Sequence, residues 1–206
     1  MSVLLINGSP HEKGCVYTIL MEVAGQIENA GIETELFHIG DAPMQDCTDC
    51  GGCFKTSRCV HHDDGLNACI EKLSRAEGLV VGSPVYYAGP SGALCAFLDR
   101  LFYRKSQLYA YKPAAAVVNC RRGGGTAAFE RLNKYFTISQ MPLVSSQYWN
   151  TTHGFTPDEV RQDQEGLQIM RTLGKNMAWM IKAIAKEGIA GISAQREAPT
   201  PTNFIR

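Results

Sequence analysis

The sequence predicts an α/β fold, a doubly wound five-stranded parallel sheet with helices on both faces. Three observations carry that reading. Short, continuous apolar runs recur as VLLIN, GLVVG and AAAVVN, each running into a turn rich in Gly, Ser, Pro or Arg. Unbroken apolarity is how a strand buried on both faces reads. Between the runs lie segments whose apolar residues return with a helical period. Strands that alternate with helices require right-handed crossovers, which impose parallel pairing and cover both faces of the sheet.

Val3 to Asn7 is the first strand, ended by Gly8-Ser9-Pro10. Val16, Ile19, Leu20, Val23 and Ile27 then share one helical face, with Gly31 as the stop. Ile32 to Ile39 reads as the second strand. Residues 40–63, rich in Cys, Gly and Asp, form a functional loop, after which Asp64 caps a short helix bearing Leu66, Ile70 and Leu73. Gly78 to Gly82 is a third buried strand, closed by Ser83-Pro84. Pro90 opens a helix with the stripe Leu94, Phe97, Leu98, Leu101 and Phe102. Ala114 to Asn119 is the fourth strand, and Arg121 to Gly125 its exit. Phe129, Leu132 and Phe136 mark the next helix, and Leu143-Val144-Ser145 is a weak fifth strand. After a polar loop with Tyr148, Trp149 and His153, one long amphipathic helix is outlined by Val160, Leu167, Met170, Met177, Met180 and Ile184. The expected domain covers residues 1–188, and residues 189–206, with Pro199 and Pro201, form an irregular tail.

The chain has 206 residues, 45% hydrophobic and 19% charged, an ordinary balance for one folded domain. Twenty basic and twenty acidic residues cancel, which argues against nucleic acid or an anionic membrane as partner. No apolar run approaches the ~20 residues that cross a bilayer. No basic region precedes VLLING, so the segment does not read as a signal peptide, and the expected location is cytoplasmic. The eight cysteines do not read as a secreted disulfide scaffold. Cys15, Cys69, Cys95 and Cys120 are scattered and read as small hydrophobes, whereas Cys47, Cys50, Cys53 and Cys59 cluster and read as metal or redox chemistry.

In doubly wound folds, ligands bind beyond the carboxyl ends of the strands, near the switch point of the sheet. Three strand exits carry unusual sequence there. In the first, Ser9, His11, Gly14 and the amides that open the following helix form a candidate anion cradle, though the segment is neither a Walker loop nor a GxGxxG fingerprint. An ordinary strand-to-helix turn is the alternative. The second offers Pro84, Val85, Tyr86, Tyr87 and Gly89, a tight loop whose tyrosines can flank an aromatic ligand or simply pack. The third joins Arg121 and Arg122 to Gly123, Gly124 and Gly125, which allows close backbone approach beside positive charge. Each exit alone is a weak signal; together at one rim they make a site.

INGSP, SPVYYAGPSGALCAFLDR and RRGGG together resemble the flavodoxin-like NAD(P)H-dependent FMN reductase superfamily, from Met1 to about Ile184. The resemblance implies a flavodoxin-like sheet and an FMN whose phosphate lies at Ser9, His11, Gly14, Cys15 and Val16. It implies a flavin ring along Pro84, Val85, Tyr86 and Tyr87, in the loop shaped by Gly89, and against Asn119, Cys120, Arg121, Arg122, Gly123 and Gly124. One departure stands out. The superfamily often has a threonine where this chain has Val16, after Cys15, so these positions offer backbone donors only, with Thr18 as the nearby replacement hydroxyl.

The clustered cysteines read C-x2-C-x2-C-x5-C, compact spacing that suits a four-iron cluster. It is similar to the motif of the iron-sulfur flavoproteins, which implies a [4Fe-4S] cluster beside FMN. Free or redox-switching thiols and a zinc site remain open alternatives. His61 and His62, next to Asp63 and Asp64, are conceivable ligands but fit a solvated loop better; His38 reads as structural and His153 as a surface or interface residue. The implied activity is an FMN-dependent oxidoreductase. NAD(P)H delivers hydride to the flavin, and electrons pass on, by way of the cluster if it is present, to a small-molecule or protein acceptor such as a ferredoxin or a quinone. The chemistry belongs to the cofactor, so no dedicated catalytic residue is expected. Arg121 and Arg122 further suggest a preference for NADPH through its 2′-phosphate. The alternative from another class is a flavodoxin-type electron carrier, disfavoured by zero net charge and the Arg121-Arg122 loop. Absence of flavin would instead point to a zinc-stabilised interaction module. The superfamily also implies a homodimer or homotetramer.

Overall fold

The computed structural model describes residues 1–61, 64–103 and 106–185. His62, Asp63, the expected boundary at 188 and the tail 189–206 lie outside the described residues.

Strands β1 (Ser2–Asn7), β2 (Glu33–His38), β3 (Gly78–Tyr86), β5 (Ala114–Cys120) and β6 (Thr151–His153) form a parallel sheet in the order β2-β1-β3-β5-β6. The short β4 (Gly89–Pro90) turns back antiparallel onto the end of β3. Alternation along the strands divides the core. Leu4, Ile6, Leu79, Val81, Ala114, Ala116 and Val118 face α3 (Leu66–Arg75), α4 (Gly92–Tyr103) and α5 (Gly125–Ile138). Val3, Leu5, Val80, Ala115 and Val117 face α1 (Cys15–Asn29) and α7 (Gln164–Ala185). Each valine, leucine or isoleucine fully buried this way stabilises by about 1.5–3 kcal/mol. Helices α1 and α7 lie unusually close, because a Cβ on Gly174 would stand 2.5 Å from the Val23 carbonyl oxygen. Glu22 and Arg171 close that seam with an ion pair at 2.6 Å.

Several expectations are corrected. Strand β3 does not end at Ser83-Pro84 but pairs with β5 as far as Pro84 opposite Asn119 and continues to Tyr86. Pro90 lies in β4, and the helix opens after Ser91, whose hydroxyl accepts the Leu94 N–H at 3.3 Å. Leu143-Val144-Ser145 makes a single bridge to Ala114, because Ser146 then bonds the Tyr148 carbonyl and Asn150 and folds the chain away from the sheet. The fifth parallel strand is β6, formed where the sequence suggests a loop. The long final helix is two helices, α6 (Pro157–Gln162) and α7, broken where the Asp163 carboxylate accepts the Gly166 N–H at 2.9 Å and starts α7 afresh. Within the cysteine loop a short helix, α2 (Gly52–Thr56), interrupts the irregular backbone. Asp64 accepts the Leu66 N–H at 3.2 Å, but Gly65, in the left-handed region, is the N-cap of α3.

Candidate flavin cleft and cysteine site

The first exit is fixed by side chains that serve the backbone. Asn7 accepts the Ser9 N–H at 3.1 Å and donates to the Glu12 carbonyl at 3.0 Å, and the Ser9 hydroxyl accepts the His11 N–H at 3.1 Å. His38 on β2 bonds the Ser9 carbonyl through Nε2 at 2.8 Å, a structural role as expected. Gly14, the N-cap of α1, supplies no side-chain cap, so first-turn amides of a 15-residue helix stay available to an acceptor. The Thr18 hydroxyl does not replace the absent threonine: it donates to the Gly14 carbonyl at 3.2 Å, one turn back inside the helix.

The second exit is bolted to the first. Buried Ser91 donates to the Gly8 carbonyl at 2.7 Å, while its own N–H goes to the Ser83 hydroxyl at 3.0 Å. Tyr87 and Ala88 both have positive φ, 50° and 60°, in the two-residue turn between β3 and β4, a conformation that costs L-residues about 1–2 kcal/mol each. The third exit presses on that turn. Gly124 has φ +87°, and a Cβ there would lie 2.7 Å from the Ala88 Cα. Asn119 at the end of β5 ties in β6, donating to the Gly154 carbonyl and accepting from Thr152, both at 2.9 Å.

Together these exits bound an open cleft of about 450 Å³, within the usual size of a cofactor pocket. Of the sequence-predicted residues, Ser9, His11, Cys15, Val16, Pro84, Val85, Tyr86, Asn119, Cys120 and Arg121 line it. Gly14, Tyr87, Gly89, Arg122, Gly123 and Gly124 do not; they shape the surrounding backbone, and Tyr87 stands fully exposed at the turn. Gly154 and Phe155 also line the cleft; they follow β6, a strand with no apolar signal of its own in the sequence. Arg121 lies over the Phe155 ring at 5.8 Å, and the sign the sequence offers is an aromatic directly after a glycine. Among the described residues the lining holds a cation and no carboxylate, which suits an anionic ligand. Burial pushes the Cys15 and Cys120 thiols above their ordinary range, so both stay neutral beside it at pH 7. His153 is a surface residue whose N–H donates to Asp163 at 2.7 Å.

A second cavity, of about 40 Å³, is lined by all four clustered cysteines, Cys47, Cys50, Cys53 and Cys59. Left-handed bends at Asp49, Gly51, Ser57 and Gly65 wrap the loop around it. Asn67 of α3 clamps Cys59, accepting its N–H at 2.9 Å and donating to its carbonyl at 3.0 Å. His61 lines the cavity and bonds the Thr48 hydroxyl at 3.2 Å. The Tyr103 hydroxyl donates to Asp49, which holds that phenol above its usual range. The thiols are free, and among the described residues no three His, Cys, Asp or Glu side chains meet as closely as a single metal ion requires. Four sulfurs sharing one cavity nevertheless match the donor set of a [4Fe-4S] cluster, whose irons each take a different thiolate.

The sequence family described as NADPH-dependent FMN reductase matches residues 1–156. An iron-sulfur flavoprotein of Methanocaldococcus jannaschii is 30% identical over 197 residues, covering 90% of this chain and 100% of that protein. One from Archaeoglobus fulgidus is 28% identical over 195 residues, covering 89% of this chain and 98% of the relative. Among solved structures, a flavodoxin from the domain Archaea superposes with a TM-score of 0.60 at 15% identity, covering 88% of this chain and 99% of that one. Its likeness is one of fold.

Proposed function

The chain belongs to the NADPH-dependent FMN reductase family, close to its iron-sulfur flavoprotein branch, and from that premise we propose that it is an FMN-dependent oxidoreductase drawing electrons from NAD(P)H and delivering them to a small-molecule or protein acceptor. The observation that carries the reading is the single cleft onto which three strand exits converge, with an uncapped helix N-terminus, one arginine and no carboxylate among its described lining. Ser9, His11, Cys15 and Val16 would take the phosphate side. Pro84, Val85, Tyr86, Cys120 and Arg121 would take the ring. Bound there, FMN supplies hydride acceptance and one- or two-electron exchange. The protein orients it: Ser91 holds two exits together, Arg121 and Phe155 narrow the mouth, and two neutral thiols keep negative charge away from the ring.

Cys47, Cys50, Cys53 and Cys59 would hold a [4Fe-4S] cluster. The supporting observations are the shared cavity and the iron-sulfur flavoproteins among the relatives. NADPH rather than NADH fits an exposed Arg122 beside the cleft arginine. A homodimer or homotetramer in the cytoplasm, with a ferredoxin or quinone as acceptor, completes the proposal; among the described residues no helix is long and apolar enough to cross a membrane.

The deciding experiment is the visible spectrum of anaerobically purified protein, followed by steady-state NADPH oxidation. Flavin bands over a broad iron-sulfur shoulder, with turnover, are expected. Bound FMN without turnover on any acceptor would make the protein a carrier, and failure to bind added FMN would refute the reading.

A further inference from the structure

Helix α4 buries an arginine in its apolar stripe. The Arg100 side chain is only 2% exposed, among Phe97, Leu98, Leu101 and Phe102 of the same helix. Its Nη2 is paired with Asp64 and lies 3.9 Å from the Met44 sulfur. Its Nε and Nη1 are buried and have no hydrogen-bond partner among the described residues. A guanidinium is always charged and carries five N–H donors in a rigid fork, and leaving part of that fork buried and unpaired is costly. Such an orphan implies an acceptor. Arg100 lines the same cavity as Cys47, Cys50, Cys53 and Cys59.

Resting on the iron-sulfur reading of that cavity, we infer that Arg100 is a positioning residue for the sulfur-borne negative charge, its free N–H groups directed at the cysteine site and its cation favouring the more reduced, more negative state of the cluster held there. Asp64 has the complementary role. By taking Nη2 it fixes the fork in place and partly offsets its charge. Arg58 also lines the cavity, but it is largely exposed and paired with Glu71 at 3.0 Å, so its field is screened by water. Hydrogen bonds to sulfur and net charge are among the factors that set iron-sulfur potentials.

The test uses full-length protein, reconstituted anaerobically with ferrous iron and sulfide, and reads iron content and the cluster's reduction potential by dye-mediated titration followed by electron paramagnetic resonance. Arg100→Gln is expected to shift the one-electron equilibrium at least tenfold toward the oxidised form, a fall of about 59 mV or more. Arg100→Lys, which keeps the charge and loses the fork, falls less. Asp64→Asn moves the potential upward, the opposite sign. Arg58→Gln moves it less than Arg100→Gln. A structural role for Arg100 would lower thermal stability without these signed shifts. If Arg100→Gln does not fold, the upward shift in Asp64→Asn and a fall relative to wild type in Arg100→Lys carry the test. A potential unchanged in the folded Arg100 variants, or lowered in Asp64→Asn, overturns the inference. Wild-type protein that takes up no cluster overturns the iron-sulfur reading itself, and this inference with it.

Discussion

Replacing Gly124 by alanine tests whether the second and third strand exits are locked together. At φ +87° a non-glycine residue carries about 1–2 kcal/mol of strain, partly offset by the 0.5–1 kcal/mol, roughly, that alanine regains by stiffening the unfolded chain. The new methyl would also meet Ala88 at 2.7 Å from Cα, 2.9 Å from Cβ and 3.3 Å from N. Two of those atoms are backbone, which cannot turn aside as a flexible side chain would. Overpacking of this kind costs about 1–3 kcal/mol. The sum spans about 1–4.5 kcal/mol and centres near 3, where the fall in Tm is roughly 6–12 °C for a chain of this size. Because relief comes only by parting the two exits, FMN affinity drops by about tenfold or more, equivalent to about 1.4 kcal/mol. Thermal unfolding by circular dichroism and an FMN titration by fluorescence quenching read both effects. Gly123→Ala is the control, since nothing lies within 4 Å of its Cβ position. If Gly124→Ala matches that control in both measurements, the locking argument is wrong.

Three further outcomes are expected. Ala88→Gly relieves the turn from the other side and raises stability by about 0.5–1 kcal/mol, seen as a Tm higher by roughly 1–4 °C; a lower Tm would show that the turn is not strained. Asp163→Ala removes both the start of α7 and the acceptor for the His153 N–H, costing about 2 kcal/mol, with Asp163→Asn recovering part of it in urea unfolding. The buried Cys69 thiol is pushed up to about 12 from an ordinary 9.0, mainly by burial. The folded chain keeps a proton there that the unfolded chain releases, so its contribution to stability is complete below pH 9 and lost as pH rises from 9 toward 12. Urea midpoints between pH 8.5 and 11 should therefore fall more steeply in wild type than in Cys69→Ala, by up to about 1.4 kcal/mol per pH unit. Parallel profiles would count against it.

The elements legible in the sequence are those whose own apolar residues announce them. β1, β3 and β5 are nearly unbroken hydrophobic runs, and α1, α4 and α5 repeat with a clear helical period. β6 has no such signal. Its residues Thr151, Thr152 and His153 form a strand because Asn119 and Asp163 hold them against β5, a tertiary cause that no local pattern records. The apolar Leu143 and Val144 carry a strand signal but form a single bridge, at Leu143. Most of the cleft lining is legible, because the Gly-Ser-Pro, Pro-Val-Tyr-Tyr and Arg-Arg-Gly-Gly-Gly runs all fall at carboxyl ends of strands, which a doubly wound sheet gathers at one rim. Phe155 and Gly154 were lost along with β6. Arg100 stands inside a stripe of Leu and Phe with no local sign of a role; what identifies it is the Asp64 carboxylate and the cysteine cavity, both distant in the chain.

The close seating of α1 on α7 has a consequence for biosynthesis. Helix α1, whose N-terminus opens on the cleft, leaves the ribosome early, yet the helix that covers Val23, Ala24 and Ile27 comes last among the described elements. At about 5–20 residues per second, the 22 residues of α7 take roughly 1–4 s to make. Until then a nascent chain carries a bare apolar stripe and an unsupported first exit. The first exit therefore stays unsupported until α7 has emerged, and a growing chain stalled before Gln164 is one that chaperones should retain.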